Sequence, residues 1–156
     1  MMMNKQGNFM QANENKQIIL NFMQLLGSNQ IDKLTAFMHD DLTWIIPQDP
    51  KYSTMAGNRN KTQWIELYSS FLAKMPNGAR YEVIGITAEN DRVALEAESF
   101  ADTPLGEFHN RYHFLFVFKD GKILTAKEYA DSLFMYKFKQ KNLDFFVRLI
   151  KNKWFK

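Results

Sequence analysis

The residues best suited to chemistry in this chain are Asp131, Asn110, Tyr112 and Tyr129, which are expected to converge where two neighbouring strands end. A lone carboxyl in an apolar cup has a raised pKa, which suits proton transfer near neutral pH. An amide and two phenols beside it suit hydrogen bonding to a substrate carbonyl or a developing enolate. The pattern points to general acid/base work on a small apolar molecule, with Asp131, Tyr112, Tyr129 and Asn110 as the expected catalytic set. Asp131 has a second reading. Aspartate is a favoured N-cap, and a helical run opens at Ser132. The two tyrosines equally suit core positions with satisfied hydroxyls.

Other constellations carry less. His109, His113 and Glu128 would share one sheet face, yet Arg111 stands between the histidines and repels a cation. That face is expected to be a salt-bridged outer or dimer surface, with no metal and no cofactor. The chain has no cysteine, which excludes a disulfide framework, a thiolate nucleophile and a thiolate metal site.

One hairpin must position the catalytic set. A strand over Phe108–Phe118, the pair Asp120-Gly121 and a strand over Ile123–Asp131 predict a two-residue type I′ turn. Counting back from that turn pairs Phe118 with Ile123, Phe116 with Thr125, Phe114 with Lys127, Tyr112 with Tyr129 and Asn110 with Asp131. One face is then aromatic and turns polar at its far end, as a pocket wall does. A four-residue loop, Asp102–Leu105, sets Glu96 against Arg111 and Glu98 against His109, and adds Val93, Leu95, Ala97 and Ser99 to the aromatic face. Trp44, Ile46, Trp64, Tyr68, Ser99, Phe114 and Phe116 are the expected ligand contacts.

Helices are expected to close this wall. Asn13 opens a helical pattern through about Leu26, with Gly27 suited to the position past its end. A short helix over about Gln30–Met38 precedes a strand, Leu42–Ile46. Asn60 and Gln63 predict a capping box for a third helix, ended by Pro76-Asn77-Gly78. The unpatterned Pro47–Asn60 segment reads as a lid or rim. Strands over Ala79–Thr87 and Arg92–Ala101 complete the sheet.

With 46% hydrophobic and 24% charged residues the chain has an ordinary globular composition. No apolar run approaches a membrane span, and the first residues lack the marks of a signal peptide, so a cytoplasmic protein is expected. The net charge of +3 is uneven. Lys137, Lys139, Lys141, Arg148, Lys151, Lys153 and Lys156 gather in the last twenty positions beside one acid, Asp144. With Leu143, Phe146, Val147, Ile150 and Trp154 at helical spacing, residues 139–156 read as a basic amphipathic helix. It would pack back on the domain, meet a protein partner, or lie on an anionic membrane surface. No nucleic-acid module is recognisable.

The order of elements resembles the nuclear transport factor 2-like superfamily, and within it the SnoaL-like polyketide cyclase branch. The resemblance rests on Asp40-Asp41-Leu42-Thr43-Trp44, Asp120-Gly121-Lys122-Ile123 and Glu128-Tyr129-Ala130-Asp131, and it covers about residues 14–138. It implies an α+β cone in which about three N-terminal helices pack on a curved antiparallel sheet over an apolar pocket, commonly as a dimer through the sheet face. The expected division is a lead-in at 1–12, the cone at 13–138 and the basic helix at 139–156. The resemblance also implies a single aspartate, Asp131, acting as general acid/base on an enolate-forming substrate. The same pocket without turnover would be a binding or interaction module. The base of steroid isomerase-like members would fall on Ile46, and their oxyanion residues on Phe22 and Tyr112. The Arg–Asp pair of limonene epoxide hydrolase-like members would fall on Ala97 and Ser99. Both chemistries are therefore disfavoured.

Overall fold

A computed structural model describes residues 2–28 and 30–141. It is an α+β cone built on one six-stranded sheet of order β2-β1-β6-β5-β4-β3. Chain order gives α1 (Met2–Leu25), α2 (Ile31–Thr35), β1 (Met38–Ile46), β2 (Gly57–Arg59), α3 (Lys61–Leu72), β3 (Arg80–Glu89), β4 (Arg92–Thr103), β5 (Gly106–Lys119) and β6 (Lys122–Ala130). A further helix begins at residue 132 and is followed to residue 141. Most of the expected basic helix over 139–156 lies outside the described residues.

α3 and the end of α1 form where their signals stand, whereas α2 stops at Thr35 and Met38, expected in that helix, opens β1. In α1, Ile19, Phe22 and Met23 are buried, while Phe9 and Met10 on its first half are exposed. That helix begins well before Asn13. Gly27 ends it with φ +90°, a conformation that disfavours any residue with a Cβ. A Cβ there would also lie 2.1 Å from the Ala79 carbonyl oxygen. In α3, Asn60 accepts from the Gln63 N–H and the Gln63 side chain accepts from the Asn60 N–H, the reciprocal box. Trp64, Tyr68 and Leu72 then face the sheet at helical spacing.

The sheet is mixed rather than wholly antiparallel, because β1 runs parallel to β6. β2 pairs antiparallel with β1 and gives the Pro47–Asn60 segment its only strand. Asp120 and Gly121 both have positive φ, 51° and 70°, as a type I′ turn needs. On the inner face Tyr112, Phe114 and Phe116 stack in sequence, with ring centroids 5.4 and 5.6 Å apart. Val93, Leu95, Ala97 and Ser99 of β4 join them there, all buried.

Two register expectations need correction. In β4–β5, Thr103 faces Gly106, so Glu98 meets Arg111 and Glu96 meets His113. The loop is two residues, not four. A slip of two leaves every side chain on its expected face. In β5–β6, Phe118 faces Ile123 as counted, but Val117 then faces Thr125. Leu124 is the extra residue of a β-bulge, and beyond it the strand is offset by one. Phe114 therefore meets Glu128 rather than Lys127, and Tyr112 meets Ala130 rather than Tyr129. The offset turns Ala126, Glu128 and Ala130 inward, and Lys127 and Tyr129 outward.

Candidate functional site

The bulge decides which carboxyl enters the cone. Trp44 on β1, buried to 1% exposure, stacks on Trp64 of α3 with centroids 4.5 Å apart. Its indole Nε1 donates to Glu128 Oε2 at 2.9 Å. Glu128 is otherwise set among apolar groups, and burial pushes its carboxyl up to about 7. The Trp44 hydrogen bond and the charge of Arg59 pull the other way and are outweighed. Half ionised near neutral pH, this group can take or give a proton.

Three phenols and an amide stand deeper in the cone. Tyr68 accepts from the Gly27 N–H at 2.8 Å, and Tyr112 accepts from Ser99 Oγ at 3.2 Å. Burial raises the phenols of Tyr68, Tyr81 and Tyr112, and the charge of Glu128 raises each further, so all three stay protonated. Asn110 is 1% exposed. Its side chain lies near enough to the Tyr112 oxygen to lower that phenol, yet Nδ2 makes no hydrogen bond of good geometry. A buried donor without a partner is costly, which marks this amide as a place for a ligand acceptor.

These groups line an inner cavity of about 30 Å³, room for one or two waters or the tip of a ligand. Outside it lies a crevice of about 640 Å³. Gln48, Met55, Phe71, Glu128, Ala130 and Met135 line both, so Glu128 sits at the junction. Pro47, Gln48, Asp49, Tyr52, Ser53, Thr54 and Met55 form one rim of the crevice. The Arg59 guanidinium holds that rim in shape by donating to the carbonyls of Thr54, Met55, Ala56 and Gly57. Across the crevice Tyr52 meets Tyr136 edge to face at 5.9 Å.

The expected site residues are only partly brought together. Trp44, Ile46, Trp64, Tyr68, Asn110, Tyr112 and Phe114 line the inner cavity. Phe116 is core packed against Phe22 and Trp44, and Ser99 reaches the site only through its bond to Tyr112. Tyr129 is 48% exposed and borders the outer crevice alone. Asp131 lines neither cavity. Exposed to solvent, it caps the last helix: its Oδ1 accepts from the Phe134 N–H at 3.0 Å. Its N-cap reading is the one its surroundings match. Glu128, expected on the outer charged face with His109 and His113, is inward, so those three groups do not meet. The strand Lys-Ile-Leu-Thr-Ala-Lys-Glu-Tyr-Ala-Asp puts a charge on the inner face in either register. The one available hint was steric, since Lys127 opposite Phe114 would have placed an ammonium among stacked rings.

A family model for a SnoaL-like domain matches residues 19–126. Among solved structures, Bal32a from a soil-derived mobile gene cassette superposes with a TM-score of 0.73 at 16% identity, over 82% of this chain and 98% of that one. The BvnE pinacolase from Penicillium brevicompactum gives 0.74 at 15% identity, over 86% of this chain and 97% of that one. An LEH-like epoxide hydrolase of M. tuberculosis gives 0.64 at 19% identity, over 87% and 96%. At these identities the likeness is one of fold. No curated protein matches the sequence. Among the described residues no helix is long and apolar enough to cross a membrane.

Proposed function

The chain belongs to the SnoaL-like domain family, and from that premise we propose that it binds a small apolar carbonyl compound in its cone and moves a proton on it, with Glu128 as the general acid/base. Asp131, the expected aspartate, has no place in this reading. One observation carries it: a half-buried carboxyl raised to about 7 stands where the inner cavity meets the outer crevice. Asn110 and Tyr112 supply the donors an enolate oxygen needs, in a site that excludes most water. The aromatic lining of Trp44, Trp64 and Phe114 suits the reacting tip of an apolar molecule. Neighbours of this fold named as a pinacolase and an epoxide hydrolase make a reactive cone unsurprising, but the fold by itself assigns no activity.

The reaction class is isomerisation or cyclisation through an enol, in which Glu128 removes a proton α to the carbonyl and returns it elsewhere. Deuterium exchange into the methyl group of 2-acetonaphthone in D₂O tests this. Saturable exchange that rises through about pH 7 and is lost in Glu128→Gln is the expected result. Binding without exchange would leave a ligand-binding module. A dimer through the outer sheet face belongs to the same proposal: Ile84 there is 60% exposed and Leu115 and Val117 are half-buried. Light scattering of the purified chain checks it.

A further inference from the structure

The crevice outside Glu128 carries two cations that proton transfer does not use. Lys74 follows α3, and Lys139 lies on the helix that begins at residue 132; both line the crevice. They share the crevice with Phe71 and Met135, both half-buried, behind which the fully buried Phe108 ring packs 5.8 Å from Phe71. Among the described residues neither lysine joins an ion pair. The other acid of the crevice wall, Asp49, has its Oδ1 engaged by the Lys51 N–H at 2.8 Å. An apolar floor edged by unpaired ammonium groups is complementary to an amphiphilic anion.

We propose that the ligand is an amphiphilic carboxylate whose apolar body lies over Phe71 and Met135, with its acid group between Lys74 and Lys139 and its carbonyl end turned toward Glu128. This rests on the pocket reading above and adds the charge and orientation of the substrate. It also gives Lys139, at the start of the basic tail, a role in the site. With about 30 Å³ inside and about 640 Å³ outside, only the reacting end enters the cone and the rest of the molecule stays in the crevice. An anionic group held at the rim fixes which end goes in.

The test compares 6-acetyl-2-naphthoic acid with 2-acetonaphthone, which share the ring system and ketone and differ by the carboxylate. Binding to the full chain is read by calorimetry at low and high salt. The acid is expected to bind about tenfold tighter at low salt, an advantage that shrinks at high salt and vanishes in the Lys74→Ala/Lys139→Ala variant. The ketone should bind wild type and variant alike. Equal affinity of acid and ketone, or an advantage that survives both substitutions, overturns the assignment while ketone binding and Glu128-dependent exchange keep the pocket reading. If neither compound binds or exchanges, both readings fall.

Discussion

The two hairpins of the cone wall are built from the same strand, β5, and do different work. β4–β5 runs through twelve consecutive pairs without interruption. Its inner face is continuous core, and its outer face pairs Glu98 with His109 at 2.7 Å and with Arg111 at 3.3 Å. β5–β6 is broken at Leu124, and the residues beyond the break exchange faces. The regular hairpin keeps its charges in solvent. The bulged one carries a carboxylate inside and leaves it there against the cost of desolvation. One inserted residue separates a wall with its charges outside from one with a carboxyl inside.

Inserting one alanine between Leu124 and Thr125 should break that difference most severely. With the bulge kept, the added residue would take the place of Thr125 opposite Val117 and set Lys127 against Phe114, so Lys127 and Tyr129 would face the stacked rings and Glu128 would face solvent. A loss of about 4 kcal/mol or more is expected in urea unfolding, since a buried ammonium without a partner is among the costliest single changes. An insertion variant of near wild-type stability would show that the register beyond the bulge does not set the faces.

Glu128→Gln tests the same point from the side chain. Glutamine can still accept from Trp44, so the packing is kept and only the charge is removed. A carboxyl raised in the folded state destabilises it when ionised: the protonated form is present below the ordinary value of 4.5, and stability is lost as pH rises to about 7. The variant should therefore match wild type near pH 4 and exceed it at pH 8 by about 3 kcal/mol. Deuterium exchange should fall to background. Equal stability at both pH values would return Glu128 to solvent.

Much of this was legible in the sequence. The Asn60–Gln63 box, Gly27 and the Asp120-Gly121 turn each carry a local constraint that no tertiary contact overrides. The β4–β5 loop length was not legible, but the error was two residues and parity protected the faces. The bulge had no such protection. Ile123-Leu124-Thr125 reads as well with one alternation as with the other, and the choice depends on the segment that leads into β1, where the Phe37 carbonyl accepts from the Ile123 N–H at 2.9 Å. That contact is long-range, so Asp131 appeared inside and Glu128 outside.

Asp131→Ala separates these two carboxylates, which stand three positions apart. Loss of the cap should cost about 1 kcal/mol. Exchange of 2-acetonaphthone and its rise through about pH 7 should not change, because Asp131 touches neither cavity. A drop in exchange comparable to that of Glu128→Gln would restore Asp131 to the chemistry.

The smallest effect should come from lengthening the regular hairpin. Inserting Gly-Ser between Pro104 and Leu105 makes the loop four residues while leaving the Thr103–Gly106 pairing available. Doubling a short loop costs about 0.6 kcal/mol in closure entropy. Two bonds in the turn, from Thr103 Oγ1 to the Gly106 carbonyl and from the Leu105 N–H to Thr103 Oγ1, would be given up to solvent. No side chain changes face, so the Glu128 carboxyl should still titrate near 7 by carbon NMR. If this insertion moved that titration or cost as much as the single alanine inserted after Leu124, face parity would not be what distinguishes the two hairpins, and the inward position of Glu128 would need another cause.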